Sequence, residues 1–234
     1  SEYNTASTLP LFAKKQLEYR GIRCSFVHVN ENDPNDFAGI EALKDADLLF
    51  LSVRRRTPPK AQLDLVRAHL AKGKPLVGIR TASHAFDREP PGKHHARWAK
   101  FDDEILGVDY RNHYGNKPPK DPATVIQATA MGAKHPILTG VTHDAFEAKS
   151  HLYKNKPVAP TVSVLMAGTL PGRDEINEPV AWTNEVNDSR VFYTSLGGTG
   201  DFALPAFQRL LLNGVLWALE KPIPPADPRV LAGK

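Results

Sequence analysis

Pro75-Leu76-Val77-Gly78-Ile79-Arg80-Thr81-Ala82-Ser83-His84 is an apolar run that breaks off abruptly into small and polar residues. An apolar run without alternation reads as a strand covered on both faces, the environment of a parallel strand with helices above and below. Its end, where a buried strand passes into a helical turn, has the layout of a nucleophile elbow. Upstream, Pro58 and Pro59 open a helix whose buried side is Leu63, Val66 and Leu70, and Gly73 closes it. Before that helix Asp47-Leu48-Leu49-Phe50-Leu51 is a second short apolar run. Strand, helix and strand at this spacing imply a right-handed parallel crossover.

Further out the same alternation continues. Ser7 or Thr8 precedes Leu9 and Pro10, and apolar residues at Leu9, Phe12, Ala13 and Leu17 predict a helix to Arg20 that Gly21 ends. Cys24–Val29 then reads as a strand, and a further opening strand is expected before Ser1. Residues 80–122 are rich in Pro, His and Gly with one helix predicted around Trp98–Leu106, and a segment that long is expected to line a pocket. Strands are predicted at Thr124–Ala128, Val162–Ala167, Val180–Thr183 and Val191–Leu196, the last two joined by a turn at Asn187-Asp188-Ser189. Phe207, Leu210, Leu211, Gly214 and Ala218 outline a last amphipathic helix. The expected fold is α/β, a three-layer sandwich with a mostly parallel sheet and an antiparallel edge, in one domain over residues 1–220, followed by a Pro-rich extended tail at 221–234.

Composition narrows the function classes. Of 234 residues 41% are hydrophobic and 24% charged, enough apolar material for a core, and no stretch approaches the roughly 20 apolar residues of a membrane span. No charged-then-apolar leader is seen at Ser1, so a soluble chain without a membrane partner is expected. The net charge of +4 is small, and basic residues are scattered among acidic ones, so no nucleic-acid partner is expected. Cys24 is the single cysteine, which excludes an intrachain disulfide and a multi-cysteine zinc site but leaves the compartment open between bacterial cytoplasm and periplasm.

Eight blocks in one order carry a family resemblance: EYNTASTLPLFA (Glu2–Ala13), SVRRR (Ser52–Arg56), GIRTASHAF (Gly78–Phe86), HYGN (His113–Asn116), HPILTGV (His135–Val141), LYK (Leu152–Lys154), EPVAWT (Glu178–Thr183) and VFYTSLGG (Val191–Gly198). Together they resemble the ThuA-like (trehalose utilisation) proteins, a branch of the class I glutamine amidotransferase-like, flavodoxin-like superfamily. That resemblance implies a bacterial carbohydrate-metabolism protein acting on a sugar or an oxidised (keto) sugar. Amidotransferases of this superfamily place a catalytic cysteine after GI, where this chain has Arg80. A guanidinium stays protonated and cannot attack a carbonyl, so glutaminase chemistry is excluded on that alignment. Relatives often carry a histidine after SLG, and here Gly198 stands there.

Candidate catalytic residues are Arg80, His84 and His113: a histidine to move a proton, Arg80 to stabilise negative charge on a carbonyl or enediolate oxygen, in a cofactor-free isomerisation or elimination. Candidate substrate-binding residues are Ser52, Arg54, Arg55, Arg56, Thr81, Ser83, Asn116 and Tyr153. The three consecutive arginines follow a strand and either grip hydroxyls or an anion in the crevice above the sheet, or solvate the surface and pair with acids such as Asp87. Tyr153 is either a sugar-stacking platform or core, as are Trp182 and Tyr193. His151 is weighed as a backbone-bonded structural residue and His135 as a turn residue. No GxGxxG or HExxH motif is present, so no nicotinamide, flavin or other cofactor is expected; a metal ion, if one binds, falls to His84 or His113. A non-catalytic sugar-binding or scaffold protein is the alternative, and whether the chain is an enzyme, and whether it forms a homo-oligomer, is left open.

Overall fold

The computed structural model describes residues 3–142 and 144–226. Along the chain run helix α1 (Thr5–Phe12), strand β1 (Leu49–Leu51), helix α2 (Lys60–Ala71), strands β2 (Leu76–Ile79), β3 (Asn112–His113), β4 (Thr124–Ala128), β5 (Phe146–Ala148), β6 (Tyr153–Lys154), β7 (Ser163–Leu170), β8 (Arg173–Val186) and β9 (Ser189–Thr194), and helix α3 (Pro205–Ala218). Seven strands make one sheet in the order β1-β2-β9-β8-β7-β4-β5, and β3 pairs with β6 beside it.

Period-two alternation along β2 divides the core between the faces of this sheet. Val77 and Ile79 face one way, into a cluster with Phe12 and Leu17 of the first helical segment and Phe207, Leu210, Leu211 and Val215 of α3. Leu76 faces the other way, into a cluster with Leu63, Val66 and Leu70 of α2 and with Trp182 and Tyr193. The result is helix, sheet and helix in three layers. α3 approaches so closely that a methyl group on Gly214 would lie 2.1 Å from the Phe192 ring, which is why glycine stands in the middle of an otherwise regular helix. Helix α1 continues through wider and tighter turns to Arg20, and Gly21 caps it at φ +75°.

Three expectations are corrected. The sheet is not mostly parallel: β1 with β2 and β2 with β9 are the parallel pairs, whereas β8, β7, β4 and β5 extend the sheet antiparallel from β9. Hairpin chemistry explains this, since Pro171-Gly172 joins β7 to β8 and Asn187-Asp188, both at positive φ, join β8 to β9. Cys24–Val29 joins no ladder, and Phe26, Val27 and Val29 are exposed. The helix expected at Trp98–Leu106 is reduced to one wide turn, Asp102–Leu106. Of the expected C-terminal tail, residues 222–226 are neither helix nor strand and residues 227–234 lie outside the described ones. The opening strand expected before Ser1 likewise falls outside them.

Candidate functional site

Strands β1, β2 and β9 run parallel, so their carboxyl ends deliver Ser52–Arg56, Arg80–His84 and Ser195–Gly198 to one edge of the sheet. This is the crevice where open α/β sheets place ligands. The elbow has a physical cause. Arg80 sits at φ +48°, a conformation that costs a side-chain-bearing residue about 1–2 kcal/mol, and the turned carbonyl accepts the Tyr193 hydroxyl at 2.5 Å. A Cβ on Gly78 would come within 3.1 Å of the Tyr193 ring and 3.3 Å of Ala82, so glycine lets this turn pack tightly. Arg55, at φ +49°, is held by its backbone N–H on the His84 carbonyl (2.9 Å), and Arg56 N–H donates to the Ala85 carbonyl (2.7 Å). The arginine run and the elbow therefore form one rigid unit.

Arg80 itself points inward. It is 1% exposed, its Nη1 donates to the carbonyls of His151 and Ser195 at 2.8 Å each, and its guanidinium lies 4.0 Å from the centre of the Tyr153 ring. Tyr153 is equally buried, and burial raises its phenol above the usual tyrosine range. Above this stack a set of rings continues: Tyr110 lies 4.8 Å from Tyr153 and is stacked on His84 at 4.4 Å, while His113 lies 6.4 Å from Tyr153 and 5.0 Å from His151. Tyr110 and His151 are half-buried and His113 is exposed, so the open side of the ladder is theirs. β3 and β6 build it, with His113 opposite Tyr153 in register. Asp102 accepts the Tyr110 backbone N–H at 2.9 Å, and burial raises this carboxyl to about 6.

The remaining candidates divide by role. Thr81 and Ser83 are buried in the elbow, with Ser83 Oγ 3.0 Å from His84 Nδ1. Ser52 Oγ donates to Thr5 Oγ1 at 3.0 Å and so ties the end of β1 to α1. Asn116 is buried and engaged with the Pro122 carbonyl, Thr124 Oγ1 and Leu152 N–H, which fixes the strand beneath the ladder. Arg54 and Arg55 are exposed, Arg56 is half-buried, and the charges of Arg54 and Arg55 act on both His84 and Tyr110. Asp87 pairs with Arg97. His135 accepts the Ile137 N–H in its turn, and Trp182 is core, donating to the Leu106 carbonyl. Among the described residues no three His, Cys, Asp or Glu side chains gather as a metal site. Tyr110 was not identified from the sequence, because nothing in its spacing from His84 marks the stack.

His84 is 5% exposed, and burial, followed by the charges of Arg55, Arg54 and Arg80, lowers its pKa to about 3. It is a neutral imidazole throughout the neutral range. Because its folded pKa lies below the unfolded value of about 6.5, the unfolded chain binds the extra proton between these limits. Stability from this group is thus complete above pH ~6.5 and declines below it, by about 2 kcal/mol at pH 5. Asp102, raised instead of lowered, works in the opposite sense between pH ~4 and 6, so the contrast must be read between variants. Urea titrations at pH 7 and 5 should show His84→Phe losing about 2 kcal/mol less than the parent. Equal losses would mean that His84 is hydrated and protonates freely.

Comparison with known proteins agrees with this architecture. A putative ThuA-like protein of Parabacteroides merdae superimposes with a TM-score of 0.69 at 17% identity, covering 97% of this chain and 90% of that one. A second, from Bacteroides uniformis, gives 0.63 at 18% identity, over 91% and 83%. A cytoplasmic protein of Salmonella typhimurium gives 0.53 at 15%, over 88% and 85%. At such identities these likenesses speak for the fold alone. No curated protein matches the sequence. The family model described as trehalose utilisation matches residues 6–218, from α1 through the elbow and the ring ladder to the end of α3, and on that match the chain belongs to the ThuA family.

Proposed function

We propose that this protein has a carbohydrate-related role in a bacterium and binds a sugar or oxidised (keto) sugar over the open side of the ring ladder. The observation that carries this is the half-buried face of Tyr110 beside exposed His113, backed by the buried Tyr153–Arg80 stack and flanked by Arg54 and Arg55. Aromatic faces cover the apolar faces of a sugar ring, and guanidinium forks reach its hydroxyls or a carbonyl oxygen. Proton transfer at a keto sugar falls to His113, since His84 is buried and held neutral with too weak a basicity for work near pH 7. The reaction is a cofactor-free isomerisation or elimination, beginning with loss of the proton next to the ketone. Its enolate oxygen would meet Arg54 or Arg55, because the Arg80 Nη1 already donates to two backbone carbonyls.

Calorimetry with trehalose, glucose and a ring-oxidised keto-glucose should show binding that Tyr110→Ala weakens about fivefold, the equivalent of roughly 1 kcal/mol for one aromatic face. Deuterium uptake from D2O next to the ketone, followed by NMR, should fall at least about a hundredfold in His113→Ala. Absence of any sugar binding would end the reading. A second reading, non-catalytic sugar binding, is favoured by one feature: the elbow position that carries the nucleophile in amidotransferases holds an arginine turned into the core. Binding without deuterium uptake in the parent protein would decide for it.

A further inference from the structure

A cavity of about 600 Å³ opens at the arginine run, lined by Arg54, Arg55, Arg56, Arg88, Arg97, Asp87 and Glu89. Five guanidinium groups face two carboxylates there, and both carboxylates are engaged by Arg97: Asp87 accepts from its Nε at 3.1 Å and Nη2 at 2.5 Å, and Glu89 accepts from Nη1. Arg54, Arg55, Arg56 and Arg88 make no side-chain hydrogen bond and no ion pair among the described residues. Four unpaired cations held this closely repel one another, and an arrangement needed only for solubility would spread them. Arg56 registers the crowding, since burial and the charges of Arg88 and Arg54 lower its pKa.

The cluster is built, not incidental. The backbones of Arg55 and Arg56 are bonded to the elbow at His84 and Ala85, and Arg88 follows four residues after His84 on the same segment. We infer that this cavity is an anion subsite that takes the phosphate group of a phosphorylated sugar. A phosphate monoester offers several acceptor oxygens and close to two negative charges, which planar guanidinium forks bind in pairs. The space exceeds what a lone phosphate fills, and it borders the ladder at Arg55, whose backbone N–H is bonded to the His84 carbonyl at 2.9 Å. A ligand would lay its sugar on the ladder and its phosphate among the arginines. The sugar half of this assignment rests on the function proposed above; the phosphate half does not.

Calorimetry on the whole chain, with inorganic phosphate, glucose and glucose 6-phosphate as probes, separates the two. Glucose 6-phosphate is expected to bind more tightly than glucose or phosphate. Arg56→Ala combined with Arg88→Ala should weaken phosphate and glucose 6-phosphate at least about tenfold while leaving glucose unchanged. Arg111→Ala, an exposed arginine paired with Asp109, should change nothing. Arg88→Gln alone provides the same reading should the double variant misfold. Failure of phosphate and glucose 6-phosphate to bind, or an equal loss in Arg111→Ala, would overturn the anion subsite, and glucose binding would then stand by itself. Phosphate and glucose 6-phosphate binding equally, with Tyr110→Ala affecting neither, would keep the subsite and remove the sugar reading.

Discussion

Asp201→Ala is expected to cost about 4 kcal/mol of folding stability, among the largest effects of any single substitution in this chain. The side chain is fully buried. Oδ1 accepts the Lys149 N–H at 2.8 Å, and Oδ2 accepts the Gly197 N–H at 2.9 Å, the Gly198 N–H at 3.0 Å and the Ser150 hydroxyl. One carboxylate thus ties the turn after β9 to the segment that leads into β6. Alanine would leave the Lys149 and Gly197 N–H groups without their acceptor, at about 1–3 kcal/mol each before relaxation, while the Gly198 N–H keeps the Ser150 Oγ at 3.1 Å. Asp201→Asn keeps the shape but turns an NH2 group toward at least one of those donors, so it should also destabilise, by somewhat less. The consequence reaches the site, because residue 151 supplies a carbonyl to Arg80 and a ring beside His113. Urea unfolding measures the loss. A change below about 1 kcal/mol in Asp201→Ala would mean that water replaces the carboxylate and that the turn holds without it.

Asp201 illustrates what could not be read from the sequence. Its position three residues after Gly198 suggests nothing beyond a turn, and its partners at Lys149 and Ser150 are about fifty residues away along the chain. Tyr110 is similar: its stack on His84 exists because Asp102 holds its backbone and β3 pairs with β6. The parallel part of the sheet was legible, since β1 and β2 are short apolar runs with a capped helix between them. The antiparallel part was misjudged although a signal existed, for Pro171-Gly172 is a turn dipeptide between two strands. β8 was also underestimated: it begins at Arg173, in a polar stretch with exposed residues at Arg173, Asp174 and Glu175, where periodicity has little to detect. Ser52–Arg56 and Arg80–His84 each follow a short apolar run, and those runs are the neighbouring parallel strands β1 and β2, yet no spacing rule tells which way a side chain turns.

For Arg80 that direction decides the result. The sequence alone assigns Arg80 to the site, as the group that stabilises negative charge on a carbonyl or enediolate oxygen. Buried as it is, the guanidinium joins two separate segments through the His151 and Ser195 carbonyls and sits over the Tyr153 ring, 4.0 Å from its centre. A lysine ammonium has no plane to set over that ring, and it is harder to desolvate. Arg80→Lys is therefore expected to lose about 2–3 kcal/mol of stability, and Arg80→Met, which fills much of the volume but leaves both carbonyls without a donor, about 3–4 kcal/mol. Binding should weaken only indirectly, as the ladder above Tyr153 loosens. Urea unfolding and calorimetry on the same preparations separate the two roles. Should Arg80→Lys unfold at the parental midpoint yet bind glucose or glucose 6-phosphate tenfold more weakly, the side chain must turn outward when ligand arrives, and the buried position would be a resting state of a contact residue.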